Sequence, residues 1–436
     1  MIGRPSPLKL PAAVIALAYA STATGAWAQV VAPDAPPPSS TSTSPATDTS
    51  QPQNQRQVSY LDASVSAGYS SNPFLQIPSQ SSLFTRISLQ GYHAWNSERG
   101  TTSVSGLVED SLYLKGGYGS KAIFNLNART DQSLSETVRV FGDLGVSGDI
   151  AGQLSNRYSP GPIIAPPDTV PQPVTSSDLF NISGRQYRIV GSVGAAIATS
   201  TRSSLSLGAG ATHSFFTGAN KGADYTTESA NIGWSHQLST RSSGGINVSF
   251  EHEDFRGSDY ANVVNASLTF RTQLSQDISA NGSVGLLSVY SHRAGFSGHS
   301  YSPSFSGSVC KAGERTQFCV QVSRDAQAPL GLGSIAGTRG ATINTTFGLN
   351  YRRRVGPGDS IYAVATGTHN STASSLNLGK FSSTDITGLV GYDKKVGNRL
   401  FAGFSVGARR LYQDGPDPHM DINAQLTLRY RFGDIL

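Results

Sequence analysis

The sequence is short of charge. Asp, Glu, Lys and Arg make up 14% of its 436 residues, against roughly 25% in soluble domains. Mean hydropathy is nevertheless −0.22, so the missing charge is not replaced by apolar bulk. That combination suits strands with one face in lipid and the other in water. No acid precedes residue 29, and no basic run exceeds the three residues Arg352-Arg353-Arg354. The formal +5 falls to +3 once Arg4 and Lys9 are set aside as part of a removable segment, too small an excess for nucleic-acid binding. HExxH, paired CxxC and GxSxG with suitable partners are all missing, which leaves no metal, cofactor or nucleophile signature and argues against an enzyme. Nothing resembles a plug with a TonB box, a helical-repeat export scaffold or an autotransporter passenger.

Glycine (47), Ser and Thr are plentiful, and so are Tyr (17) and Phe (18). A disordered chain shares the first bias but not the aromatics, which need something to pack against. The first 28 residues have a basic start and an apolar stretch near 10–20, then Ala26-Trp27-Ala28 before Gln29. This is the layout of a secretory signal with an A-x-A site, and the stretch is short of the ~20 residues of a span. No lipobox cysteine is present. Residues 29–57 are Pro, Ser, Thr and Gln with almost no core-forming side chains, hence a disordered leader.

From residue 58 the apolar period is two. Leu61, Ala63, Val65, Ala67 and Tyr69 share one face, while Asp62, Ser64, Ser66 and Gly68 share the other. At the far end Met420, Ile422, Ala424, Leu426, Leu428, Tyr430 and Phe432 alternate with polar residues. Sixteen comparable segments lie between, including 301–311 and 317–325, which makes eighteen strands, with sixteen as the alternative. Connections support the count. The set 96–100, 131–136, 199–203, 239–243, 275–276, 312–316, 355–359 and 395–398 is short throughout. The intervening set holds the long ones, 70–82, 150–184, 326–340 and 370–381. Short turns face the periplasm in outer-membrane barrels. STRSS occurs at 200–204 and 239–243, which places both copies in equivalent short turns.

A two-sheet sandwich also alternates, but it does not need strands of this length. Nor does it need Trp95, Tyr113, Trp234, Tyr290, Tyr351, Tyr392, Tyr430 and Phe432 near strand ends, where two aromatic girdles would lie. In lipid an open edge costs several kcal/mol per unpaired backbone group, so the sheet closes. The fold expected for 58–436 is therefore an all-β, antiparallel up-and-down transmembrane barrel. TLRYRF, four residues before the end, resembles the C-terminal signal of the barrel-insertion machinery.

GYSSNPF at 68–74 resembles the opening of the β-barrel porin type 2 family. CVQVSRD at 319–325 and LNYRRRVG at 349–356 look like strands of the same group. The resemblance spans 58–436 and implies an outer-membrane protein associated with exopolysaccharide production.

Glu251-His252-Glu253-Asp254 is the densest polar cluster, but alternation puts His252 opposite Glu251 and Glu253, so it reads as a strand end. His213, His236, His252 and His369 fall on the outward phase near strand ends, as interfacial positions would. Cys310 and Cys319 share the polar phase on neighbouring strands, across 311–318. An oxidising compartment permits a bridge there, with reactive thiols as the alternative. The interior phase carries Arg86, Arg129, Arg139, Arg188, Arg271, Arg352, Arg409, Arg429 and Arg431. Against them stand Glu109, Asp143, Glu228, Glu251, Glu253 and Asp421. Either these pair off along the wall, or the lumen is water-filled and favours anions. The loop 150–184, with six prolines, is long enough to reach the mouth. The expected function is a porin-like channel for hydrophilic solutes or, through the resemblance, polysaccharide. The other reading is a non-conducting barrel that docks envelope machinery.

Overall fold

A computed structural model describes residues 58–73, 75, 79–115, 119–150, 185–217, 224–255, 259–293, 296–327, 342–372, 382–413 and 419–433. The expected signal (1–28), the leader (29–57) and loop residues 151–184 lie outside this set. The strands are β1 (Val58–Ser70), β2 (Ser82–Ser97), β3 (Gly100–Tyr113), β4 (Gly119–Ser133), β5 (Val138–Ile150) and β6 (Arg185–Ser200). Next come β7 (Ser203–Phe216), β8 (Tyr225–Gln237), β9 (Ser242–Phe255), β10 (Tyr260–Gln273), β11 (Ile278–Arg293) and β12 (Phe296–Ala312). The ring is completed by β13 (Thr316–Gln327), β14 (Thr342–Gly356), β15 (Asp359–Thr372), β16 (Ser382–Lys395), β17 (Leu400–Gln413) and β18 (His419–Gly433). Each pairs antiparallel with its sequence neighbours, and β1 pairs with β18. The fold is a closed eighteen-strand antiparallel barrel, the larger of the two expected counts.

Alternation sets the two faces. Leu61, Val65 and Tyr69 on β1, and Ile422, Leu426, Leu428 and Tyr430 on β18, point outward and are exposed. Between them Asp62, Ser66, Ser70, Asp421 and Arg431 point inward and are buried. An apolar outside with a polar inside inverts the soluble arrangement and matches hydrocarbon around a wetted lumen. Trp95, Trp234, Tyr392, Tyr430 and Phe432 are exposed on the outward face near strand ends. Tyr113 is a correction. It falls on the inward phase, between exposed Leu112 and Leu114, and its ring lies 5.8 Å from that of Phe84. Glu228 is another: it shares the phase of exposed Ile232 and Trp234 and stands opposite His252 on the outward face. Charge suggested an inward place for it; counting from Ile232 does not.

The ring closes where GYSSNPF begins. The Asp421 carboxylate accepts from Ser70 Oγ (2.7 Å), Ser71 Oγ (3.2 Å) and the Asn72 backbone N–H (2.8 Å). These three donors from the β1 side, with Asn423 Nδ2 as a fourth at 3.2 Å, satisfy a group buried at the strand end. Gly68 is required by a close approach. A Cβ there would stand 2.4 Å from the Ala424 carbonyl oxygen and 2.6 Å from the Phe84 ring. Lower down, Arg431 donates to Asp62 from Nε (2.7 Å) and Nη2 (2.6 Å) while its guanidinium lies 4.4 Å from the Tyr60 ring centroid.

β12 starts five residues earlier than the 301–311 expected from sequence. Gly298 interrupts the missed stretch 296–300, yet that stretch pairs with β11 from Phe296 onward.

Candidate functional site: an arginine-lined vestibule at the short-turn end

Five of the eight short turns carry arginine at the same place. The backbone carbonyls of Arg99, Arg202, Arg241, Arg315 and Arg399 accept from Ser133, Gln237, Gln273, Arg354 and Arg431 on the next hairpin, at 2.6–2.9 Å. In three of them a serine two residues earlier caps the arginine N–H. These are Ser97 (3.3 Å), Ser200 (3.2 Å) and Ser239 (3.2 Å). The hydroxyl satisfies a donor that the tight turn leaves without a ladder partner. The two STRSS copies are therefore equivalent turns, and SER at 97–99 is a third version of the same device.

Three of these turns rim a cavity of about 940 Å³ at the short-turn end of the barrel. Arg99, Arg202 and Arg241 line it at the rim, and Arg129, Arg139 and Arg271 line it from β4, β5 and β10. Its acids are Asp131 and Glu136, six positive groups against two negative. Arg139 grips Asp131 with both Nε and Nη2. Arg129 stands opposite Asp143 in the β4–β5 ladder. Serine and threonine supply most of the remaining wall, so the surface is wettable and offers hydroxyl donors beside the guanidinium groups. Sequence reasoning named Arg129, Arg139 and Arg271 but not the three rim arginines. The repeated STRSS was the signal that could have found two of them.

The other inward arginines are spent on the wall. Arg86 meets Glu109 at 3.0 Å. Arg409, 2% exposed, holds Asp385. Arg429 and Arg431 share Asp62 at 3.7 and 2.6 Å. Arg352 and Arg429 lie beside Asp393. Arg188 is inward on β6, in register with Ser147 and Ser214. The nine arginines thus divide: those on β2, β17 and β18 are paired in the wall, Arg352 on β14 lies beside Asp393, Arg188 stands between serines on β6, and the three on β4, β5 and β10 surround the vestibule, where Arg139 grips Asp131. Asp62, Asp131, Asp385 and Asp393 are partners absent from the expected set of acids.

Glu251 and Glu253 point inward while His252 and Asp254 point outward, so the four do not converge. Each of the four histidines expected to face outward shares a hydrogen bond with its cross-strand neighbour. The pairs are His213 with Thr226 (2.9 Å), His236 with Ser203 (2.9 Å), His252 with Asn262 (2.7 Å) and His369 with Thr384 (2.9 Å). Among the described residues no cluster of three or more His, Cys, Asp or Glu could hold a metal ion. Cys310 and Cys319 are register partners on β12 and β13, with their sulfurs bonded.

No family model matches the chain, and no curated protein matches it. Solved structures do resemble it. The outer membrane protein OpdK of Pseudomonas aeruginosa aligns over 86% of this chain and 98% of its own, with 10% identity and a TM-score of 0.42. OccAB4 of Acinetobacter baumannii aligns over 88% and 100%, with 9% identity and a TM-score of 0.44. At such identities the likeness concerns the fold alone.

Proposed function

We propose that the protein is an outer-membrane channel for small hydrophilic solutes, with a preference for anions set at its periplasmic mouth. The observation that carries this reading is the vestibule, with six arginines against two acids around one wettable cavity. Basic groups in a constricted, low-dielectric wall raise the local concentration of anions and bias permeation toward them. The short turns face the periplasm and the long connections face outward, as in outer-membrane barrels. Export is part of the same reading. The signal is cleaved after Ala28, the leader 29–57 precedes the barrel, and the insertion machinery reads the last strand. Edman sequencing of the membrane-extracted protein should begin at Gln29. The resemblance to type 2 porins extends the cargo to an exopolysaccharide, and an acidic oligosaccharide of that kind would then block the conductance from the periplasmic side.

The deciding experiment is single-channel conductance of the refolded barrel under a salt gradient. Stable steps with an anion-favouring reversal potential are expected, and Arg202→Gln with Arg241→Gln should reduce that preference while leaving the steps. A cation-selective reversal potential overturns the reading. A second reading has one observation in its favour. Inward Phe216, Tyr225, Phe255, Ala261 and Val263 near the long-loop end are all buried in one apolar cluster, as in a barrel closed there. A folded barrel that never conducts would establish that alternative, a docking protein for envelope machinery.

A further inference from the structure

Among the described residues, the barrel wall is not hydrogen-bonded all the way round. β12 pairs with β13 only over 305–312; its 296–304 stretch has a ladder partner among the described residues on the β11 side alone. The gap is closed by side chains, and in an unusual sense. Ala326 and Ile343 are register partners on β13 and β14, on the phase that brings Val322 and Phe347 to the outer surface. Both are nonetheless buried, 4% and 8% exposed, in one cluster with Leu287 and Val289, which face inward on β11. Arg324, also on the outward phase, donates from Nη2 to Oγ of inward-facing Ser302 on β12 (3.2 Å) and from Nη1 to Thr345 Oγ1 on β14 (3.0 Å). Outward groups of one flank therefore meet inward groups of the other. The ends of β13 and β14 lap inside β11 and β12.

Two further features mark this seam. Pro303 lies within the unpaired stretch of β12, and proline inside a sheet is confined to edges, where no acceptor lacks its N–H. An apolar cluster also lies on the inner wall beside the seam, with Glu251, Glu253 and Asp325 on the same wall, although Ser, Thr, Asn and Arg line most of the lumen. Phe216, Phe255, Val263, Leu287 and Val289 form one continuous cluster that ends at the lapped strands.

We propose that this seam is a lateral portal, through which an anionic single-chain amphiphile passes between the lumen and the outer leaflet. Parting the flanks breaks no ladder hydrogen bond among the described residues. It separates apolar faces and releases the two Arg324 bonds, while the Cys310–Cys319 bridge holds the paired lower segment together. The apolar cluster then meets the chain of the amphiphile. Arg324 meets its head, since its buried Nε has no hydrogen bond in the closed seam and a carboxylate is a matched acceptor for a guanidinium. Portal and vestibule are separate features, so this proposal does not depend on conductance.

The test places p-benzoylphenylalanine at Leu287 or Ile343 in the full barrel, in vesicles containing alkyne-tagged palmitate. Phe270, outward in lipid, is the positive control, and Ser66, inward at the β1–β18 seam, is the negative one. Heat-modifiable migration reports folding, and Ser302 replaces Leu287 if that variant does not fold. Labelling at the seam severalfold above Ser66 is the expected result. Seam positions that label no more than Ser66 overturn the portal.

Discussion

Two seams of this barrel teach opposite lessons about what holds strands together. β12 and β13 are a hairpin joined by a three-residue turn, whereas β1 and β18 come from opposite ends of the barrel sequence. Proximity along the chain would make the hairpin the tighter pair. The reverse holds. β1 and β18 are in register over eleven positions, with Ser66 and Thr427 bonded at 2.8 Å, Asp62 shared by two arginines and Asp421 taking three donors from the β1 side. β12 and β13 are in register over eight and then part. A turn brings two strands together only at its own end. Where no covalent link exists, ring closure has to overcome a long loop's entropy, and the side chains along the seam supply the cohesion.

Proline separates the two seams most sharply. Ser66→Pro would remove a ladder donor from a strand paired on both sides and surrounded by hydrocarbon, where each unsatisfied backbone group costs several kcal/mol. The barrel should fail to acquire heat-modifiable mobility. Pro303→Ala, on the unpaired stretch, should change stability by about 0.5 kcal/mol or less in a urea titration, as substitutions away from special features do. A large loss from Pro303→Ala would show that the stretch is not an edge.

The second effect concerns charge. Asp62→Ala leaves Arg431, 1% exposed, and Arg429 in the wall without their shared carboxylate. Breaking a buried pair from one side costs about 3–5 kcal/mol, which equilibrium unfolding of the vesicle-inserted protein can read. Adding Arg431→Met should recover most of the loss, because the penalty comes from the stranded charge and not from the missing bond.

Much of this was readable in advance, for a definite reason. Period-two alternation carries strand number and facing together, so the runs at 61–69 and 420–432 were enough to tell which side of β1 and β18 meets lipid. The errors arose where chemistry was trusted over counting, as at Glu228 and Tyr113, or where glycine interrupted the start of a strand, as at 296–300. Pairing across the barrel was not legible at all. Arg431 and Asp62 are 369 residues apart, and alternation gives a face but no register between distant strands. The turn arginines were half visible: STRSS repeats verbatim, but the shared feature is one arginine carbonyl and its place in the turn, which SERG at 97–100 and GNRL at 397–400 preserve with other neighbours.

A third prediction concerns the foot of the weaker seam. Cys310→Ser with Cys319→Ser should lower stability by about 2 kcal/mol at most. A loop this short lies at the low end of the chain-entropy scale, and the tight turn already restricts the same residues. Intact mass after native extraction should show the oxidised form. Two free thiols there would remove the bridge from the account of the seam.

Arg324→Ala should also have only a small global effect, and its size is what makes it informative. Each hydrogen bond it loses is worth about 0.5–1.5 kcal/mol, and losing a buried guanidinium with an unsatisfied Nε offsets part of that. Unfolding should therefore shift by about 1 kcal/mol or less. Local behaviour should change far more, because Arg324 is the polar link between the flanks, and local opening is governed by the contacts of the segment that opens. Amide exchange over 296–304 should quicken in the variant while exchange over 60–70 on β1 stays as it was. Equal protection of both stretches, in both proteins, would mean that the lapped strands are as firmly held as a continuous ladder, and the contrast between the two seams would be one of appearance only.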